Sequence, residues 1–218
     1  MSLALARAAA PSTSSSPLPA LYSTVGVHPT RCSEFDENDE QLDADAYFAQ
    51  LAAICEDGAR DGRVVAIGEC GLDYDRLEFC DKETQRKYFE KQFELAERMR
   101  LPMFLHNRNT DGDFYEMIAK NRSRFSNGVV HSFTGSSEEA LKLVELGLYI
   151  DNIETVRVIP TEHLMIETEK YEAGCLVKGR NEPCTLVQVL EIVSAIRGED
   201  PDDLAQKIHE NTCKVFFP

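Results

Sequence analysis

Val-Val-Ala-Ile-Gly-Glu-Cys-Gly-Leu-Asp-Tyr-Asp-Arg, residues 64–76, is the stretch that decides the fold. Its first five residues are apolar, largely β-branched and bounded by polar residues, which predicts a buried strand ending at Glu69. A helical pattern precedes it at 43–57, and a stronger one follows at 82–100, with an apolar stripe of Phe89, Phe93, Ala96 and Met99. A strand between two helices is the repeating unit of an α/β fold.

The same alternation of strand and helix runs through most of the chain. We count six strand candidates, namely Leu21–Val27, Val64–Gly68, Met103–Leu105, Val129–Val130, Leu148–Ile150 and Leu164–Ile166. Apolar strands that do not alternate with polar residues indicate a parallel sheet covered on both faces. A (β/α) barrel and an open doubly wound sheet both fit this pattern. The sequence has no GxGxxG or Walker motif, which favours the barrel.

Four of the predicted strands end on a side chain that binds metals. These side chains are Glu69, His106, His131 and Glu169, at intervals of 37, 25 and 38 residues. Each interval is about one βα unit, and the carboxyl ends of parallel strands meet at one face, where the chemistry of such folds lies. A single His or Glu after a strand is more often structural or exposed, but four at equivalent places favour a site. Carboxylates mixed with imidazoles suit Mg²⁺, Mn²⁺ or Zn²⁺ and are typical of two-metal hydrolases.

Composition limits the function classes. The chain has 218 residues, 43% of them hydrophobic, and no apolar run long enough for a membrane span, so we expect one soluble domain over 21–218. The net charge of −15 excludes a broad basic surface for nucleic acid, so any such contact must be local and metal-assisted. Seven cysteines without a CxxC pair indicate reduced thiols in an intracellular compartment, the nucleus or the cytoplasm.

The first twenty residues differ in composition from the rest of the chain. They are rich in Ala, Ser and Pro, contain one Arg and no acid, and show no helical or strand period. This predicts a disordered tail over 1–20. The alternative is an organelle-targeting peptide, such as a mitochondrial one, because these segments also contain Arg and Ser and lack acids.

Several motifs together resemble the TatD family of metal-dependent deoxyribonucleases. They are VVAIGECGLDYDR (64–76), VGVHPT (25–30), LPMFLHNRN (101–109), VVHSFTG (129–135), LMIET (164–168) and RNEP (180–183). The glutamate motif combined with the two histidine motifs is highly specific, and the resemblance covers nearly everything after residue 20. It implies a TIM barrel of the amidohydrolase type and magnesium-dependent hydrolysis of DNA, with 3'-5' exonuclease action as the finer expectation.

The resemblance also implies residue roles. Glu69 matches the bridging metal ligand, and His106 and His131 match the two metal-binding histidines of a centre expected to hold two Mg²⁺, with Mn²⁺ or Zn²⁺ as alternatives. Glu169 stands where the family has a metal-binding or water-activating Asp. His28 lies in a family motif near the mouth of the barrel but is not a usual ligand there, with a structural role beside Pro29 as the alternative. Arg108 is expected to face a phosphate of DNA, with simple solvent exposure as the alternative.

Three departures from the family pattern leave the activity open. About two N-terminal strands of the barrel are absent, which makes the predicted barrel incomplete. The segment 151–153 stands where the family has a longer loop and helix, and Glu169 is one methylene longer than Asp. The alternative function is therefore a catalytically impaired, shortened member that binds metal or another chain. A third reading, an amidohydrolase of small esters or amides, is disfavoured by the GECGLD motif. No membrane or obligate protein partner is expected.

Overall fold

The structure is a computed structural model that describes residues 20–168 and 181–218. The chain forms two compact units, which divide after Gly128. The first unit contains β1 (Ser23–Val25), α1 (Ala44–Arg60), β2 (Val64–Asp73), α2 (Lys82–Met99), β3 (Met103–Arg108) and α3 (Asp113–Asn121). The second contains β4 (Gly128–His131), α4 (Ser137–Glu145), β5 (Tyr149–Ile150), α5 (Leu186–Arg197) and α6 (Pro201–Phe216).

The strands are parallel in both units. In the first unit β2 lies between β1 and β3, and it pairs with both in parallel register. In the second unit β4 pairs in parallel with β5, with Val129 opposite Tyr149. Strands connected by helices confirm the predicted α/β class. The described residues contain five strands, fewer than the eight of a closed TIM barrel, in agreement with the expected incomplete barrel.

The predicted strands differ from the observed ones in their bounds, and two of the differences are large. β2 does not stop at Gly68 but continues to Asp73 across an irregularity in its pairing with β3. The predicted strand 164–166 is reduced to a single parallel bridge between Ile150 and Leu164. In both places the sequence showed the apolar run correctly, but the length of a strand depends on pairing with its neighbour.

Helix starts follow the local chemistry of the sequence. α1 and α2 begin after Asp43 and Asp81, whose carboxylates accept hydrogen bonds from backbone N–H groups of the first turn. Ser136 caps α4, and Asp200 caps α6 with Pro201 at its first position. Each cap satisfies donors that the helix itself leaves unpaired.

α2 provides much of the core of the first unit. Its buried face includes the predicted Phe89, Phe93 and Ala96, together with Tyr88, whose ring stacks on that of Phe35 at a centroid distance of 4.2 Å. Two glutamines, Gln85 and Gln92, are fully buried on the same helix. A buried amide is costly unless it is hydrogen-bonded, so these two side chains indicate specific partners.

Among the described residues, no helix is long and apolar enough to cross a membrane. Six cysteines fall within the described ranges, and all six are free thiols. Four of them are buried, namely Cys32, Cys55, Cys70 and Cys80. Residues 1–19 of the predicted tail lie outside the described ranges.

Candidate metal centre

The first unit brings together His28, Glu69 and His106. Nδ1 of His106 lies 2.8 Å from Oε1 of Glu69, and Nε2 of His28 lies 3.4 Å from the same oxygen. One ligand atom from each residue lies within 4.8 Å of the other two. The side chain of His106 is only 2% exposed, whereas Glu69 is 31% exposed. The group therefore has a buried imidazole at its base and a carboxylate that solvent can reach.

Glu69 is placed in this group by the irregularity in β2. Gly68 pairs with Phe104 and Cys70 pairs with Leu105, so the strand register shifts by one residue at Glu69. An extra residue of this kind bends a strand and redirects a side chain, a device common beside active sites. The prediction that Glu69 stands at a strand end is wrong, because β2 continues to Asp73 and Glu69 lies inside the strand at its irregular position.

The glycines beside Glu69 allow the strands to approach closely. A Cβ on Gly71 would lie 2.0 Å from the carbonyl oxygen of His106, and a Cβ on Gly26 would lie 2.7 Å from Cα of Gly68. Gly71 also has a φ of +150°, a conformation that side chains disfavour. The GECG sequence therefore holds His106 close to the strand that carries Glu69.

His28 is oriented by the turn that it opens. It caps the 3₁₀ helix Pro29–Phe35, where its Nδ1 accepts a hydrogen bond from the backbone N–H of Thr30 at 3.2 Å. With Nδ1 occupied, Nε2 is the nitrogen that faces Glu69. Buried Gln92 holds the preceding residue, because its amide accepts from the N–H of Val27 at 2.7 Å and donates to the Val27 carbonyl at 3.0 Å.

Asp73 is a fully buried carboxylate beside this group. Its Oδ2 accepts from Nε2 of His106 at 3.2 Å and from Nη1 of Arg76 at 3.3 Å. Buried Gln85 clamps its backbone, accepting from the Asp73 N–H and donating to the Asp73 carbonyl, both at 2.8 Å. Burial alone would raise the pKa of Asp73, but the His106 hydrogen bond and nearby positive charges outweigh it and lower that pKa.

The second unit contains a separate group, His131, Asp151 and Glu167, again with ligand atoms within 4.8 Å of one another. Nδ1 of His131 lies 3.0 Å from Oε1 of Glu167. His131 ends β4, Asp151 follows β5, and Glu167 follows the bridge at Leu164, so three successive parallel elements each contribute one side chain. The side chains of His131 and Asp151 are nearly fully buried.

The segment before Glu167 is held by α6. Buried Asn211 donates to the carbonyl oxygens of Thr161 and Leu164, at 2.7 and 2.8 Å. These contacts fix the backbone three residues before Glu167. In each unit, therefore, a buried side-chain amide on a helix is hydrogen-bonded to the backbone near a candidate metal ligand.

The donor sets of both groups fit a divalent cation. Each combines imidazole nitrogen with carboxylate oxygen, the ligands of Mg²⁺, Mn²⁺ and Zn²⁺. Ligands at right angles on an ion at about 2.1 Å lie about 3 Å apart. The 2.8 Å and 3.0 Å separations between His and Glu atoms agree with this spacing.

Glu69 and His106 are the sequence-predicted residues that the structure brings together. His131 lies in the second unit with Asp151 and Glu167, and Glu169 lies outside the described residues. Arg108 ends β3, half-buried, opposite Asp73 in the strand register. The sequence analysis did not assign Asp73, Asp151 or Glu167 to the site. Asp151 and Glu167 each directly follow an apolar run, the same signal that identified Glu69.

Parallel α/β units that carry carboxylates and imidazoles at their strand ends define the class of TIM-barrel metallohydrolases. A family model described as TatD related DNase matches residues 12–217. The chain therefore belongs to the TatD family of deoxyribonucleases, which are hydrolases acting on the ester bonds of DNA.

Individual relatives agree with this assignment. The chain is 37% identical to a deoxyribonuclease Tat-D of Schizosaccharomyces pombe, with 89% of this chain and 74% of the relative covered. It is 33% identical to a 3'-5' ssDNA/RNA exonuclease TatD of Citrobacter rodentium, with 91% and 78% covered.

Solved structures agree on the fold. A TatD family hydrolase of Entamoeba histolytica superposes with a TM-score of 0.75 at 30% identity, covering 91% of this chain and 75% of that one. YJJV, a TatD homolog from Escherichia coli, superposes with a TM-score of 0.75 at 27% identity, covering 98% and 80%. The predicted family and fold type are confirmed.

Proposed function

We propose that this chain is a divalent-metal-dependent deoxyribonuclease that hydrolyses phosphodiester bonds of DNA, acting as a 3'-5' exonuclease. The observation that carries the proposal is the contact between Glu69 and two imidazoles, with the buried His106 at the base of the group. The relative from Citrobacter rodentium, named a 3'-5' ssDNA/RNA exonuclease, supports the direction and the single-stranded substrate.

Glu69 and His106 would hold one ion, with His28 beside them as a hydrogen-bond partner of Glu69, and His131, Asp151 and Glu167 would hold a second. Glu169 stays in the proposal as a further ligand and water-activating carboxylate. The chain would take two Mg²⁺, with Mn²⁺ or Zn²⁺ as alternatives that metal substitution distinguishes. Bound ions of this kind activate a water and offset charge that develops on the leaving oxygen.

The residues of the chain prepare this chemistry. Asp73 accepts from Nε2 of His106, so Nδ1 is the nitrogen that faces Glu69. A buried carboxylate that holds a ligand histidine fixes the orientation of the ring and raises its basicity. Glu69 is the more accessible member of the group, so a substrate phosphate can approach from its side. Arg108, on the strand that carries His106, is proposed to contact that phosphate.

Hydrolysis of labelled single-stranded DNA tests the proposal. We expect cleavage with Mg²⁺, loss with a chelator, and a decrease of at least about a hundredfold in Glu69→Gln, because the negative charge of a metal ligand is removed. Glu56→Gln is the matched control, since Glu56 is an exposed acid on α1 that pairs with Arg98. A label at the 5' end shows a ladder of shortened products if digestion proceeds from the 3' end.

The same assay decides on the alternative function. Purified, monodisperse protein that binds Mn²⁺ but does not cleave DNA would contradict the proposal and support an impaired, metal-binding family member. The described residues supply five strands, which is the observation that favours this second candidate. A melting temperature that does not rise with divalent ions would contradict metal binding itself.

We also propose an intracellular location, in the nucleus or the cytoplasm. All six described cysteines are free thiols, which suits a reducing compartment. Imaging of the tagged chain would test this, and accumulation in mitochondria would instead support a targeting role for residues 1–20.

A further inference from the structure

Arg76 lies at the end of the short turn Tyr74–Arg76 that directly follows β2. Its Nη1 donates to Oδ2 of Asp73, the same oxygen that accepts from Nε2 of His106. The guanidinium and the His106 ring are therefore hydrogen-bonded to the same oxygen atom. A cation is held beside the candidate metal group through one shared carboxylate oxygen.

The turn that carries Arg76 is fixed at several points. The N–H of Asp75 donates to Oδ1 of Asp73 at 3.1 Å, and the side chain of Asn109 donates to Asp75 at 2.9 Å. The hydroxyl of Tyr74 donates to Asp113 at 2.7 Å. A side chain on such a turn loses little conformational freedom when it binds a ligand, so its contacts count more towards affinity.

The Arg76 side chain is 39% exposed although its anchor, Asp73, is fully buried. Asp73 is the one hydrogen-bond acceptor recorded for its guanidinium within residues 20–168 and 181–218. A guanidinium has five N–H donors in a planar fork, so most of them stay available to a ligand. The fork matches two oxygens of a phosphate, and it supplies local positive charge on a chain of net charge −15.

We propose that Arg76 is a substrate-binding residue that contacts a backbone phosphate of the nucleic-acid strand next to the metal group. The inference rests on the proposed nuclease function and adds a residue that the sequence analysis did not select. Asp73 has two roles in this arrangement, because it orients a metal ligand and positions the phosphate-binding guanidinium. Arg108, at the end of β3, and Arg76, just after the end of β2, then both approach the nucleic acid.

Binding of a fluorescein-labelled, fully phosphorothioate oligodeoxythymidylate to the Mg²⁺-loaded protein tests the role of Arg76. We expect the Kd of Arg76→Gln to rise about tenfold, as for the loss of one charge-assisted contact. The slope of log Kd against log salt should become shallower by about 0.7, the value for one phosphate on a single strand. Arg76→Lys should keep the slope and lose part of the affinity, because the charge stays and the fork is lost.

Mn²⁺ affinity separates a direct phosphate contact from an effect through Asp73. Arg76→Gln should bind Mn²⁺ within about twofold of the wild type, because Asp73 still holds His106. Arg60→Gln is the matched control, since Arg60 is an exposed arginine paired with Asp57, and it should leave the Kd, the salt slope and Mn²⁺ affinity unchanged.

Two results would overturn the inference while leaving the nuclease proposal intact. One is an active wild type whose salt slope does not change in Arg76→Gln. The other is a loss of Mn²⁺ affinity in Arg76→Gln that accounts for the whole loss of DNA affinity, which would make Arg76 a structural partner of Asp73. A wild type that neither binds nor cleaves DNA would overturn both proposals.

Discussion

Oδ2 of Asp73 lies 3.2 Å from Nε2 of His106, so a fully buried carboxylate holds the ring whose other nitrogen meets Glu69. Both nitrogens of one imidazole are therefore engaged by carboxylates from the same strand, β2. Glu69 and Asp73 are four residues apart, and the three residues between them all pair with β3. This geometry gives Asp73 a testable role.

Asp73→Asn should weaken Mn²⁺ binding about 10- to 100-fold, because the neutral amide no longer fixes the charge and orientation of His106. Titration of Mn²⁺ followed by electron paramagnetic resonance measures this. Asp57→Asn on the surface of α1 is the control and should bind normally. Wild-type affinity in Asp73→Asn would show that the hydrogen bond to His106 is irrelevant to metal binding.

Asp151→Asn tests the group in the second unit. We expect the number of Mn²⁺ ions bound per chain at micromolar concentration to fall by about one. The substitution removes the negative charge of one of the three candidate ligands in this group. Glu154→Gln removes one negative charge from an exposed neighbour and should keep the wild-type stoichiometry. Equal stoichiometry in Asp151→Asn and the wild type would remove Asp151 from the ligand set.

The sequence predicted the α/β class and selected candidate ligands because both inferences depend on local patterns, although Glu69 and His106 lie inside β2 and β3 and not at their ends. Apolar runs without alternation indicate parallel strands, and a polar residue directly after such a run indicates the functional face. Glu69 and His106 were selected on this basis, and the structure places them in contact. Their assignment as metal ligands stays a prediction until metal binding is measured.

The residues that the sequence analysis missed depend on pairing between distant segments. Asp73 lies beyond the predicted strand, because the apolar run stops at Gly68 and the continuation of β2 requires pairing with β3. Asp151 lies where the chain departs from the family pattern, so the resemblance offered no role for it. Gln85 and Gln92 lie within a stripe of apolar residues, and their partners are far away in sequence.

Gly71→Ala should destabilise the protein by about 2–4 kcal/mol and reduce Mn²⁺ affinity. The new Cβ would lie 2.0 Å from the His106 carbonyl oxygen, so β2 and β3 must separate at the metal group. Gly62→Ala is the control, since no atom lies within 4 Å of its Cβ, and it should cost about 1 kcal/mol for its positive φ. Urea denaturation that shows equal costs would contradict the close-approach argument.

Asp113 gives the first unit an acid-sensitive contact. The carboxylate binds Lys82, Arg86 and the Tyr74 hydroxyl. Burial raises the pKa of Asp113, but these partners outweigh it and hold that pKa well below its usual range.

The resulting stabilisation is complete above about pH 4, the ordinary value of an aspartate, and is lost as the pH falls through the depressed folded value. Asp113→Asn should therefore be about 1–2 kcal/mol less stable than the wild type at pH 7, with the difference shrinking below pH 4. Thermal or urea unfolding across pH 2–7 measures it, with exposed Asp45→Asn as the control. A difference that stays constant down to pH 2 would refute the charge argument.

The two buried glutamines of α2 have a consequence for how the first metal group responds to disturbance. Gln92 is hydrogen-bonded to the backbone of Val27, the neighbour of His28. Gln85 is hydrogen-bonded to the backbone of Asp73, whose carboxylate accepts from His106. Both glutamines lie on α2, two helical turns apart. If the helix shifts along its axis, the two backbone segments that it holds are displaced in the same direction. The distance between His28 and His106 is then preserved while their common position changes.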